Sequence, residues 1–212
     1  MIFLAFEGLD GSGKSSLMKQ LEDQLKSQNI TFIKTREPGG TPMGDQLREI
    51  ILQKSTNPPT PRAELLLYQA IRAQHVDNVI RPALQKKQWV LCDRFSASSV
   101  AFQAGGRQIS VSDVNWLNEF STNHLKPHLQ ILLDLTVGES QKRRQKRSNE
   151  VGVAEDRIEA EAQDFHERVR QGFLTQAQEF PNDWLVLDAS KSPQILFQEL
   201  LTELRRRQWL GS

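Results

Sequence analysis

Apolar residues recur in two alternating rhythms along the chain: short unbroken runs, and longer segments with an apolar position every three or four residues. Ile2 to Phe6 is the first unbroken run and predicts a strand. The stretch from Ser15 to Ser27 follows, with Leu17, Met18, Leu21 and Leu25 at helical spacing. Ile30 to Lys34 reads as a second strand, ending in a loop over 35–42 where Pro and Gly forbid regular structure. A helix is expected from about Met43 to Leu52. The breaker Asn57-Pro-Pro-Thr-Pro61 separates it from a long helix, Arg62 to Gln85. Further strands are read at Gln88–Asp93, Leu129–Leu135 and Trp184–Leu187. Helices are read from Ser96 to the glycines at 105 and 106, over Ser112–Asn123, over Gly138–Arg147, from about Arg157 onward, and over Pro193–Trp209. Five strands alternating with helices imply an α/β fold of three layers, a five-stranded parallel sheet between helices. With no repeat or linker, residues 1–212 read as one domain.

The junction after the first strand carries the chemistry. Gly8 to Ser15 fits G-x-x-x-x-G-K-[ST] at every defined position, between a strand and a helix, the context that a phosphate-cradling P-loop requires. Glycines at 8, 11 and 13 let successive N–H groups converge on one anionic concavity, and the helix start adds its own unpaired N–H groups. The nucleotide-binding residues are therefore Gly8, Leu9, Asp10, Gly11, Ser12, Gly13, Lys14, Ser15 and Ser16. Lys14 is placed to reach the β- and γ-phosphates and the Ser15 hydroxyl to hold Mg²⁺.

Phosphoryl transfer also needs a metal-organising carboxylate at a strand end. Asp93 and Asp134 both qualify. Asp93 is favoured because Arg94 follows it at the open edge of the sheet, where it can bind a second phosphate. Asp10 is unusual in a loop built for anions; it either faces solvent or contacts a substrate hydroxyl. The stretch 143–157 begins Arg143-Arg144-Gln-Lys-Arg147 and runs into Gly and small residues. It reads as a closing lid that delivers arginines to the transferred phosphoryl, the alternatives being a solvated helix face or a nucleic-acid patch. Tyr68 and Arg72, four apart on the long helix, suit stacking on a base and hydrogen-bonding its edge, although a tyrosine there also fits the core.

Bulk properties narrow the partners. The net charge of +1 gives no global field for nucleic acid, and the basic Arg205-Arg206-Arg207 suits a helix C-terminus. One cysteine, Cys92, excludes an internal disulfide and reads as a core thiol. No signal peptide and no window of membrane-spanning length is visible, so a cytoplasmic protein is expected. A guanine-reading N-K-x-D is missing, which argues against a GTP switch.

Asp10 in the P-loop, Thr35-Arg36-Glu37-Pro38-Gly39-Gly40-Thr41, Asp93-Arg94-Phe95 and Ala101-Phe102-Gln103-Ala104-Gly105-Gly106-Arg107, in this order, resemble the bacterial thymidylate kinases. The resemblance runs from the P-loop to the helix after Asp156-Arg157-Ile158-Glu159. It implies transfer of phosphate from ATP to dTMP, giving dTDP, with Mg²⁺, in a homodimer. It also implies residue roles: Asp10 on the 3′-hydroxyl, Glu37 near the metal and monophosphate, and Arg48 and Arg94 on the 5′-phosphate. Tyr68 stacks on thymine, Arg72 reads its edge, and Ser99, Phe102 and Gln103 line the base and sugar pocket. Because the P-loop carries no arginine, the catalytic arginine is expected from the lid, among Arg143, Arg144 and Arg147. Two positions depart from the family pattern: Tyr68 where Phe is frequent, and Phe102 where Tyr is common beside the deoxyribose.

Overall fold

In the computed structural model, which describes residues 1–152 and 155–211, the five runs pair into one sheet of order β2-β3-β1-β4-β5. The strands are β1 (Phe3–Glu7), β2 (Phe32–Arg36), β3 (Trp89–Asp93), β4 (Leu129–Asp134) and β5 (Trp184–Asp188). All four pairings are parallel, as crossover helices demand. β1 lies at the centre and is buried at every position, so it reads as continuous apolar sequence rather than as an alternation.

The helices are α1 (Lys14–Ser27), α2 (Pro42–Leu52), α3 (Pro61–His75), α4 (Arg81–Gln85), α5 (Ser96–Ser99), α6 (Val111–Thr122), α7 (Val137–Val151), α8 (Gln163–Glu179) and α9 (Pro193–Arg206). Strand periodicity splits the core between the two faces of the sheet. Leu4, Phe6, Leu91, Ile131 and Leu133 pack with Leu17, Leu21 and Leu25 of α1 and with Leu200 and Leu204 of α9. Phe3, Ala5, Val90 and Cys92 face the other way, against Val76, Ile80 and Ala83. Leu132 joins Ala97, Ala101, Phe102, Val169 and Phe173 in a third cluster behind the segment after β3.

Several boundaries differ from the sequence pattern for local reasons. Ile30 belongs to the turn closing α1, where its N–H reaches Leu25 O (2.9 Å) beyond Asn29 at φ 56°. Thr35 and Arg36 belong to β2, opposite Cys92 and Asp93, rather than to the loop. The long helix is continuous from Pro61 to Gln85 but passes through a π-helical turn at Val76–Ile80. A second π-helical stretch, Val100–Gly106, extends α5. π-turns of this kind are rare and concentrate near functional sites. α7 continues four residues beyond Arg147 and ends at Gly152, φ 70°. Residues 157–161 form turns, held by Asp156 Oδ1, which accepts from the N–H groups of Ile158 and Glu159 (both 2.8 Å). α8 starts only at Gln163. Residues 153 and 154 of the expected lid lie outside the described residues. No helix among the described residues is long and apolar enough to cross a membrane.

Candidate active site

The loops after β1, β2 and β3 line two adjoining cavities. The outer one, of about 1010 Å³, is bordered by the P-loop; the inner one, of about 560 Å³, is roofed by α3 and the segment after β3.

The P-loop owes its path to Gly8, at φ 127°, where a Cβ would stand 2.5 Å from Leu133 O. Lys14 Nζ donates to Gly8 O (3.1 Å) and Leu9 O (3.2 Å) and lies 3.8 Å from the Asp10 carboxylate. Burial and then Arg94 lower the Lys14 pKa. The side chains of Ser15 and Ser16, at the start of α1, face the outer cavity from exposed positions. α7 docks on this loop. Ser140 Oγ donates to Asp10 O (2.7 Å), and Gly11 leaves room for Arg143, whose Cβ would be 3.2 Å from a Cβ at position 11.

That docking sorts the lid arginines. Arg143 and Arg147 line the outer cavity, Arg143 donating to Ala189 O (3.1 Å) and Arg147 to Glu159 Oε1 (2.7 Å). Arg144 does not join them. It is buried beside the P-loop, its Cγ 3.6 Å from where a Cβ at Gly11 would stand, with Nη1 donating to Glu159 O (2.6 Å).

The two strand-end carboxylates separate cleanly. Asp134 accepts two bonds from Arg170 (2.7 and 2.8 Å), whereas Asp93 Oδ1 is buried without a partner and borders the outer cavity. Arg94, next in sequence, sits at φ 70°, a left-handed conformation that costs a non-glycine residue on the order of 1 kcal/mol or more. Its Nη2 donates to Asp10 Oδ1 (2.9 Å), its Nη1 to Ser98 Oγ (3.4 Å), and its guanidinium lies 5.0 Å over the Phe102 ring. Burial works to raise the Asp10 carboxyl, but Arg94 and Lys14 outweigh it and hold Asp10 well below the usual range. Asp10 is thus paired with Arg94 while 34% of its side chain stays exposed at the cavities.

α3 presents a polar stripe to the inner cavity. Arg72, almost wholly buried, donates through Nε to Glu37 Oε2 (2.7 Å), through Nη1 to Ser99 Oγ (2.9 Å) and Asn118 Oδ1 (2.8 Å), and through Nη2 to Phe95 O (3.1 Å). Most of its five N–H groups are therefore spent inside the protein, and one Nη2 hydrogen is left over. Glu37 Oε1 meets His75 Nδ1 (3.0 Å), whose Nε2 meets Thr35 Oγ1 (2.6 Å). Gln103 donates to Glu64 (3.0 Å), a buried carboxylate that also takes Arg107 (3.1 Å) and Arg157 (2.6 Å). Arg48 donates to Pro38 O (2.8 Å). Burial, reinforced by Glu64, pushes the half-buried Tyr68 hydroxyl up, so it stays protonated.

All nine residues expected around the acceptor line the inner cavity: Asp10, Glu37, Arg48, Tyr68, Arg72, Arg94, Ser99, Phe102 and Gln103. Glu7, Glu64, Gln69, His75, Ser98 and Asn118 are among the buried polar residues that sequence reading missed. Glu64, Tyr68, Arg72 and His75 recur at helical spacing in an otherwise apolar segment, a signal that was available. Glu7 is buried at the end of β1, its oxygens accepting from Phe95 N–H (2.8 Å) and Ser98 Oγ (2.6 Å).

A parallel sheet with a P-loop after its central strand, a second cavity lined by arginines beside it and an arginine-bearing helix across the loop define a P-loop nucleotide kinase. Within that class the assignment is specific. The thymidylate kinase family model matches residues 6–200, and the chain belongs to that family. A thymidylate kinase of Bdellovibrio bacteriovorus is 59% identical over 210 residues, covering 99% of this chain and 98% of that protein. Those of Geotalea daltonii (44% over 188 residues, 88% of each chain) and Kosmotoga olearia (42% over 202 residues, 95% and 94%) are also similar.

Proposed function

We propose that the chain phosphorylates dTMP to dTDP, with the triphosphate of ATP on the P-loop in the outer cavity and dTMP in the inner one. One observation carries the division: Asp10, Glu37, Arg48 and Arg94 line both cavities. A donor phosphate on one side and a monophosphate on the other meet across this seam. Its two arginines offset the repulsion between two anions and fix them for in-line transfer.

Lys14 binds the β- and γ-phosphates, exchanging its loop carbonyls for phosphate oxygens. Arg143 and Arg147 add positive charge from α7 as charge develops on the transferred group. Arg48 and Arg94 grip the 5′-phosphate, with Asp10 restraining Arg94 and bordering the sugar. Tyr68 stacks on the base, the free Nη2 hydrogen of Arg72 reaches its edge, and Ser99, Phe102 and Gln103 close the pocket. Phe102, wedged between Phe165, Phe173 and Arg94, closes it by shape. The cofactor is Mg²⁺. The unpartnered Asp93 Oδ1 and the Ser15 hydroxyl, both on the outer cavity, fit a hard cation that keeps most of its waters. When bound, it offsets the charge of the β- and γ-phosphates.

Residues 1–212 act as one kinase domain in the cytoplasm, with 143–157 as its lid. The active form is a homodimer. Leu66 of α3 and Trp116 and Phe120 of α6 are exposed apolar side chains on two helices that pack together, a face suited to a second copy. Coupled ATP turnover with Mg²⁺ against dTMP, dUMP, dGMP, UMP and thymidine tests the reading. A strong preference for dTMP is expected. Turnover of another monophosphate with dTMP inert would remove the roles of Tyr68, Arg72, Ser99 and Gln103.

A further inference from the structure

Glu7 closes β1 one residue before the P-loop, and both hydrogen bonds of its carboxylate belong to the turn that aims Arg94. That turn is held at three points. Arg94 N–H donates to Phe6 O (2.9 Å), the next amide, Phe95 N–H, donates to Glu7 Oε1 (2.8 Å), and Ser98 Oγ donates to Glu7 Oε2 (2.6 Å) while receiving Arg94 Nη1 (3.4 Å). Arg94 therefore has its side chain fixed by Asp10 directly and by Glu7 through Ser98. Its strained backbone is fixed by the residue before Glu7 and by Glu7 itself. We infer that Glu7 is a positioning residue for Arg94 and, through it, for the phosphate of the nucleotide acceptor. The inference rests on the reading of Arg94 as a group that grips that phosphate.

The chemistry of the site calls for a carboxylate. Both of its neighbours are donors, and an ionised carboxylate is the one side chain that offers two acceptor oxygens and no hydrogen. A glutamine of the same shape must turn its NH₂ toward one of them. Facing Phe95 N–H, it sets donor against donor. Facing Ser98, it reverses the hydroxyl, which then receives from both the amide and Arg94 and donates to neither. In the first case the turn loses one anchor; in the second it exchanges a charge-assisted bond for a weaker neutral one and leaves the Ser98 hydrogen without the carboxylate to receive it, and in both the apolar packing is kept.

Steady-state kinetics at pH 8, where Glu7 is ionised, of wild type, Glu7→Gln, Ser98→Ala, their double variant and Arg94→Ala test this. Glu7→Gln and Ser98→Ala are each expected to raise KM for dTMP about tenfold, the size of one net hydrogen bond, while KM for ATP stays within about twofold. The double variant is expected to be no worse than Glu7→Gln alone, because both act through one relay. If Arg94→Ala leaves KM for dTMP unchanged, the reading of Arg94 itself fails. If Arg94→Ala raises it but the other two variants do not, or they shift both KM values alike, the inference on Glu7 is overturned and the reading of the site stands. Should Glu7→Gln not fold, Glu7→Asp, which keeps the charge but shortens the reach to Phe95 and Ser98, decides the matter, because Ser98 itself borders the inner cavity.

Discussion

Glu7→Gln also has a thermodynamic consequence that can be worked out in sign and size. Burial pushes the Glu7 carboxyl up to about 7 from its ordinary 4.5, against the opposing pull of Arg94 and of its hydrogen bonds to Ser98 and Phe95. Between those two pH values the folded protein holds a proton that the unfolded chain has released. Stability must therefore fall as pH rises through the window, and the cost is complete above 7. A displacement of that size corresponds to about 3 kcal/mol. Glutamine does not titrate, so the variant escapes this cost and loses one acceptor, worth about 1 kcal/mol. At pH 8 the variant is expected to be more stable than wild type by about 2 kcal/mol; in a chain of this length that raises Tm by roughly 4–8 °C. At pH 5 it is expected to be no more stable than wild type. Urea unfolding of both proteins at a fixed concentration between pH 5 and 8 measures the difference, in which all other titrations cancel. Parallel stability curves, or a variant less stable than wild type at pH 8, would refute the reasoning. A gain in stability with a loss in dTMP affinity is the pattern expected of a residue kept for function.

Three further outcomes follow from the geometry. Lys14→Ala is expected to lose about a thousandfold or more in turnover with an unchanged circular dichroism spectrum, and retention within tenfold would remove the P-loop lysine from the reaction. Arg143→Ala is expected to lower kcat about a hundredfold with Tm unchanged, whereas Arg144→Ala lowers Tm and spares kcat per folded molecule; the opposite pattern reverses the assignment. Arg72→Ala breaks a buried ion pair and strands Glu37, so calorimetry should show roughly 3–5 kcal/mol lost. A Tm within about 2 °C of wild type would show that its internal bonds matter little and that Arg72 serves the base alone.

The fold was legible because its strands are central and parallel: Ile2–Phe6, Val90–Cys92 and Ile131–Leu133 need no alternation to be recognised, and Gly and Pro punctuate what lies between. The ends of elements were less so. Ile30 looks like strand residue and is part of a helix-closing turn; the polar stretch 148–151 has weak helix preference and is helix nonetheless, because α7 has already been nucleated and anchored on the P-loop by Ser140. In the site, many of the residues that line the two cavities were visible as motifs. Arg143, Arg144 and Arg147 were legible as a basic run but not in how they divide: one residue is a rotation of about 100°, so Arg143 and Arg147 line the outer cavity while Arg144 is buried beside Gly11.

What stayed hidden is the layer that holds the motifs in place, and its chemistry explains why. Arg72, Arg94 and Gln103 each carry polar groups into a mostly apolar interior, and each must be matched there. Arg72 is matched by Glu37, which His75 steadies; Gln103 by Glu64, which Arg107 and Arg157 neutralise; Arg94 by Asp10 and, through Ser98, by Glu7. These partners come from β1 and the loop after it, the loop after β2, α3, α5 and the segments after Gly106 and α7, so apart from the helical spacing of Glu64 and His75 on α3 no local pattern announces them. Their burial keeps water from competing for the same bonds, and an arginine held at fixed contacts has lost little freedom left to lose when an anion arrives. The seam residues Asp10, Glu37, Arg48 and Arg94 thus form a pre-aimed wall between two cavities. Any change in the hidden layer should be read in KM for the acceptor before it is read in the P-loop's hold on the donor.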